Sequence, residues 1–229
     1  MAELGEDADT FLFADLAGFT ALTSVHGDED AADLAEEFFG DVRAFLPEYG
    51  AEEVKAIGDA LMVRVADPER AVRLGLLIVN DVGGGHGFPT IRVGIHTGPA
   101  VERHGDWFGA TVNLAARVSG AAGGGQVLLT AATAERVRRR AGAGDLIFHP
   151  RGRRELRNIP EPVELFEASC DVSRSTEGLP IDPVCRMAVD PEHCAGQLEH
   201  EGLVFHFCSV ECAGKFAAAP DRYAGAAAE

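Results

Sequence analysis

Cysteine is missing from the first 169 residues of this 229-residue chain, and lysine is nearly so, since Lys55 is the one example before Lys215. Any thiol-based site therefore belongs to the last quarter of the sequence. Also lacking is an apolar run long enough for a bilayer: the longest, around "LGLLIVN", falls far short of the roughly 20 residues a spanning helix needs. The opening "MAELGEDADT" is acidic and has none of the basic-then-apolar layout of a signal peptide. A soluble, cytoplasmic protein with no membrane partner is expected. No internal repeat occurs, and no nucleic-acid-binding motif, so nucleic acid is not an expected partner.

What is present suits a folded chain. Apolar residues make up 46% of the sequence, an ordinary share, and the length can bury one full core with residues left for a small second module. Cys170, Cys185, Cys194, Cys208 and Cys212 all fall in the last quarter, and "CDVSRSTEGLP", which begins at the first of them, reads as a polar connector. These shifts divide the chain into a large domain at 8–169, a linker at 170–179 and a small domain at 180–224. The net charge of −17 is unevenly spread. Residues 1–60 hold sixteen Asp and Glu against Arg43 and Lys55, whereas residues 136–157 hold eight Arg against Asp145 and Glu155. The basic stripe is expected to meet an acidic partner face or to serve a polyphosphate substrate.

Hydrophobic periodicity gives a coarse architecture. "TFLFADL" is a buried strand, and "DEDAADLAEEFFGDVRAFL" carries Leu34, Phe38, Val42 and Phe45 at helical spacing. A hairpin over 53–65 follows, then a helix over "DPERAVRLGLLIVNDV" that starts at Asp-Pro. Next come the strand "TIRVGIHTG", the helix "GATVNLAARVSG", the strand "QVLLT", the helix "AATAERVRRR" and the strands "LIFHP" and "VELFEA". This order predicts an α+β fold: a ferredoxin-like βαββαβ core with extra strands, followed by a small cysteine-containing α+β module.

Three segments carry candidate chemistry. In "VKAIGDALMVRV", Gly58-Asp59 favours a hairpin turn, and Lys55 stands four residues before that carboxylate. Asp15 ends the first strand, before a Gly18 turn whose backbone amides are available to an anion. If Asp15 and Asp59 approach one another, hard divalent cations would offset their repulsion; singly, each reads as a turn-stabilising aspartate. In "GDWFGATVNLAARV", Asn113 and Arg117 are four residues apart on one helix face and can flank a phosphate and ribose, with Asp106 just before the helix.

The segments "FADLAGFTAL", "VKAIGDALM", "VGIHTGPA", "DWFGATVNLAAR" and "LRNIPEPVELFE" occur in the order and at the spacings of one family. The large domain resembles the class III nucleotidyl cyclase catalytic domain. That resemblance implies two Mg²⁺ or Mn²⁺ per active site at Asp15, Leu16 and Asp59, and purine recognition by Lys55 and Asp106 in the pattern of adenine. It implies that Asn113 and Arg117 orient the ribose and stabilise the transition state, with Gly18, Phe19 and Thr20 on the triphosphate. Arg157 falls near the family's basic triphosphate contact. ATP would be the substrate and cyclic AMP and pyrophosphate the products. The sites would lie across a head-to-tail homodimer, one subunit giving the aspartates and the other Lys55, Asp106, Asn113 and Arg117. "YGAEEVK" lacks the paired glycines many relatives have before this strand, which bears on the loop's shape.

The small domain holds "DPVCRM", "FHFCSVEC" and "KFAAAPDRY", with 22 residues between Cys185 and Cys208 and three between Cys208 and Cys212. Thiolates so spaced can converge on one soft or borderline metal. The segment resembles the YHS-type module, related to heavy-metal-sensing cysteine domains. Zn²⁺ or Cu⁺ at Cys185, Cys208 and Cys212 is the implied ligand, with Cys194, His200 and His206 as candidates for a fourth donor. The alternatives are a guanylate cyclase, or a metal-binding regulatory protein whose cyclase-like domain is not catalytic.

Overall fold

The computed structural model describes residues 8–83, 88–139, 144–170 and 179–225. Most of the expected linker at 170–179 lies outside them. A continuous apolar run in β1 (Asp9–Leu16), buried on both faces, makes it an interior strand of a seven-stranded sheet. It pairs antiparallel with β3 (Ala60–Val65) on one side and β4 (Ile91–Gly98) on the other. β2 (Ala51–Ile57) forms the edge beyond β3, so four strands stand in the order β2-β3-β1-β4 of a ferredoxin-like core. Beyond β4 lie β7 (Val127–Thr130), β9 (Val163–Cys170) and β8 (Leu146–Arg154) as the extra strands. The α+β expectation is confirmed.

Before β2 the chain runs through α1 (Phe19–His26) and α2 (Asp28–Phe45), joined at Gly27, whose φ of 94° favours glycine. Asp28, Glu29 and Asp30 in the first turn of α2 suit the positive end of its dipole. The helix α3 (Pro68–Leu77) starts where Pro68 needs no amide partner and the Asp67 side chain accepts from Glu69 N at 2.9 Å. It continues as a π-helical turn over Ile78–Val82, where an unbroken α-helix had been expected. Phe38, Val42, Leu74 and Ile78 from these helices are fully buried with Leu12 and Leu61 of the sheet.

The opposite sheet face is covered by α4 (Ala110–Ala121), which buries Val112 and Ala115 on Phe11, Phe13 and Met62. Its approach depends on Gly94 of β4, where a Cβ would run into the Ser119 backbone. Two three-residue strands, β5 (Val101–Arg103) and β6 (Asp106–Phe108), form a separate ribbon before α4 that the periodicity had not revealed. After β7 comes α5 (Ala131–Arg138).

The small domain has the ribbon β10 (Gly196–His200) and β11 (Leu203–Phe207), then α6 (Val210–Ala218) and α7 (Pro220–Ala224). Its core does not close on itself. Val184, Cys185, Phe205, Phe207, Cys212 and Phe216 pack with Leu22 of α1 and Ala31 of α2. Backbone bonds from Thr90 N to Arg186 O (3.3 Å) and Ala188 N to Phe88 O (2.8 Å) join the two domains near the start of β4.

Candidate active site and metal centre

Strand register brings the two aspartates together. Asp15 is opposite Ala60, so Asp59 in the turn closed by Ile57 and Ala60 comes beside the end of β1. Gly58 takes φ 62° at the first central position of that turn, which spares a side chain the left-handed strain. Burial, then the hydrogen bond and like charge of Asp15, push the Asp59 carboxyl up to about 7. Arg92 of β4 offers partial compensation, with Nε 2.7 Å from Asp15 Oδ2. Two hard carboxylates held against mutual repulsion are a donor set that fits divalent cations. Arg92 was not among the residues singled out from sequence; its signal is a lone charge inside the apolar "TIRVGI".

Leu16 is buried at the strand end, and Ala17 N donates to Thr90 O. Gly18 then turns at φ 83° and caps α1 without a side-chain acceptor, so the amides of Phe19 and Thr20 are open to an external one. Beyond the sheet face, Lys55 Nζ lies 2.6 Å from Asp106 Oδ2 and 5.7 Å from the Phe108 ring centre. The lysine holds the Asp106 carboxyl below its ordinary range. Residues 51 apart in sequence thus form one pair, at the edge strand and the β5–β6 ribbon.

Asn113 and Arg117 are exposed on α4, and among the described residues neither side chain finds a hydrogen-bond or ion-pair partner. Arg157 is exposed in the turn before β9. Elsewhere in the basic stripe Arg138 stacks on Phe148 and Phe166, and Arg151 Nε donates to Glu167 at 2.7 Å.

In the small domain Cys185, Cys208 and Cys212 converge as expected, with Sγ–Sγ separations from Cys208 of 3.3 Å to Cys185 and 3.7 Å to Cys212. Cys212 is held down by hydrogen bonds from Cys185 and Cys208, while the Cys185 thiol is pushed up by its bond to Cys208. Soft sulfurs so clustered fit a thiophilic ion. The fourth nearby donor is His26. Cys194 instead donates to Pro191 O at 3.3 Å, and His200 pairs with Asp221 at 3.2 Å; neither they nor His206 join the cluster. Buried Asp182, which sequence reasoning missed, accepts from the amides of Val184 (2.8 Å) and Cys208 (2.9 Å), tying both cysteine-bearing turns together.

Residues 4–166 match the Adenylate and Guanylate cyclase catalytic domain, and residues 181–227 match the YHS domain. The chain belongs to the adenylate and guanylate cyclase catalytic-domain family and carries a C-terminal YHS domain. It is 37% identical over 169 residues to the pH-sensitive adenylate cyclase MT1302 of Mycobacterium tuberculosis, covering 74% of this chain and 42% of that protein. An adenylate cyclase of Streptomyces coelicolor is 37% identical over 123 residues, 54% of this chain and 32% of that one. The chain therefore spans less than half the length of these curated relatives. Among solved structures, an adenylate cyclase from Trypanosoma brucei in its monomeric state superposes with a TM-score of 0.61 at 25% identity, over 73% of this chain and 92% of that one. No helix among the described residues is long and apolar enough to cross a membrane.

Proposed function

We propose that this chain is an adenylate cyclase of the cytoplasm, converting ATP to 3′,5′-cyclic AMP and pyrophosphate at sites shared by a head-to-tail homodimer. The observation that carries the reading is the Lys55–Asp106 pair at 2.6 Å. Its ammonium donates to an unprotonated ring nitrogen and its carboxylate accepts from an exocyclic amine, which is adenine's pattern and the reverse of guanine's. The relatives named as adenylate cyclases support it.

Two Mg²⁺ or Mn²⁺ held by Asp15, Leu16 and Asp59 would supply Lewis-acid activation of the 3′-hydroxyl and charge neutralisation on the triphosphate. The amides of Phe19 and Thr20 after Gly18 bind phosphate oxygens, and Arg157 adds positive charge there. Asn113 fixes the ribose so that its hydroxyl is in line with the α-phosphorus. Arg117 stabilises the charge that builds on that phosphorus, a role open to it because no partner among the described residues occupies it. The exposed apolar side chains Ile57 (50%), Val101 (49%) and Phe108 (51%) lie on the elements that carry the base-reading pair, and a second subunit would cover them. Metal on the small domain's cysteines would regulate the activity.

The deciding experiment incubates the full chain with Mn²⁺ and either ATP or GTP. Cyclic AMP from ATP, lost at least 100-fold in folded Asp59→Ala, is expected. Faster turnover of GTP would make it a guanylate cyclase, and no cyclic nucleotide from either would leave a binding domain.

A further inference from the structure

Three sulfurs and one imidazole nitrogen converge where the two domains meet. Cys208 Sγ lies 3.3 Å from Cys185 Sγ, 3.7 Å from Cys212 Sγ and 3.8 Å from His26 Nε2, and all four donors fall within 4.8 Å of one another. A tetrahedral zinc with bonds of about 2.3 Å to sulfur and about 2.0 Å to nitrogen has edges of about 3.8 Å between sulfurs and about 3.5 Å from sulfur to nitrogen. The three distances from Cys208 already stand near those edge lengths, and the other pairs lie within 4.8 Å. Cys185 and Cys212 are fully buried, and Asp182 locks the turns that present Cys185 and Cys208.

We propose that His26 is the fourth ligand of this centre, so that a Zn²⁺ or Cu⁺ ion is held by three thiolates of the small domain and one imidazole of the cyclase domain. The site is then a clasp between domains. His26 ends α1, and the other end of that eight-residue helix begins at Gly18, the turn assigned to phosphate; about 12 Å of helix separates them. The clasp reaches the same turn by a second route: a Cβ on Gly18 would stand 2.7 Å from Cγ of Arg186, the neighbour of Cys185. Lys215 Nζ also donates to Ser24 O at 3.3 Å, alongside the joint. Filling the site restrains α1 at its far end and the phosphate turn at its near one. This regulatory consequence rests on the cyclase reading; the ligand assignment does not.

The test uses the full chain stripped of metal and titrated with Co²⁺, a spectroscopic stand-in for Zn²⁺. One ion per chain is expected, with sulfur-to-metal charge-transfer absorption and intense tetrahedral d–d bands that vanish in Cys185→Ser with Cys208→Ser. His26→Ala should keep the charge-transfer bands, alter the d–d bands, and lose at least 10-fold in Zn²⁺ affinity measured against a chelator. His26→Cys, which replaces the imidazole by a fourth thiolate, should recover the affinity with added charge-transfer intensity. Zn²⁺ should slow amide exchange across 19–26 in the wild type and leave it unchanged in His26→Ala. Unaltered d–d bands and affinity in His26→Ala would overturn the assignment, and equal exchange with and without Zn²⁺ in the wild type would overturn the clasp. Failure of the cyclase reading is separable, since it would appear as no cyclic AMP from any variant while the Co²⁺ spectra behave as stated.

Discussion

Two inactive variants should repair one another. Asp15 lies near the end of the interior strand β1 beside Asp59 and Arg92, whereas Arg117 is exposed on α4 without a partner among the described residues. Asp15→Ala removes an ion pair to Arg92, whose side chain is 30% exposed and can turn to water, so the cost to stability is at most about 1 kcal/mol. Arg117→Ala truncates an exposed side chain and should change stability by less than about 0.5 kcal/mol. Both variants therefore fold, and each should lose cyclic AMP formation. If every site takes Asp15 from one subunit and Arg117 from the other, equal mixing puts about half the subunits into mixed dimers. Each mixed dimer has one site free of lesions, so about a quarter of the wild-type rate should return. Placing both substitutions in one chain and mixing it with wild type reverses the result, because each site of that mixed dimer is then broken once. Subunit exchange can be followed with two affinity tags. No recovery in verified mixed dimers would refute the shared site.

Other consequences follow from single contacts. Lys55→Glu with Asp106→Cys removes the adenine pattern at a half-exposed pair, and the ATP-to-GTP ratio of kcat/KM should drop about 100-fold; an unchanged ratio would mean the purine is read elsewhere. His96, bonded through Nδ1 to Thr130 Oγ1 at 2.7 Å, has its pKa lowered by burial from 6.5 to about 4. A base whose folded pKa lies below its unfolded one adds stability that is full above pH 6.5 and falls away as the pH drops towards 4. Wild type should thus lose about 2 kcal/mol more than His96→Gln between pH 8 and pH 5 in urea titrations, and parallel losses would contradict the burial account. Gly94→Ala should force α4 off β4, costing about 3 kcal/mol in unfolding experiments and most of the cyclase rate with it; a variant as stable and active as wild type would show that the helix has room.

The sheet and its long helices were legible because their apolar periodicity is decided by one core: β1, α2 and α4 occur where their patterns predict, and the hairpin expected over 53–65 starts two residues earlier, at Ala51. The short α1 was read only as a turn leading to a helix, since "FTALTSVH" mixes threonines with apolar residues and lacks a side-chain cap. The β5–β6 ribbon has three residues per strand, too few for a period. Lys55 and Asp106 gained meaning through family resemblance, and the fold then set them in contact. His26 carried no local signal at all. It is 182 residues from Cys208, and no spacing rule spans two domains.

Where the Lys55–Asp106 pair, proposed to read the base, is built has a consequence for the history of such proteins. Lys55 stands on an edge strand and Asp106 on a two-stranded ribbon outside the main sheet, while Asp15 belongs to an interior strand. Substitution at the periphery disturbs little packing and costs little stability, whereas change at the centre threatens the fold itself. If that pair reads the base and Asp15 holds the metals, nucleotide preference can drift by a few surface replacements while the metal site stays fixed. A lineage built on this plan can exchange one second messenger for another without refolding.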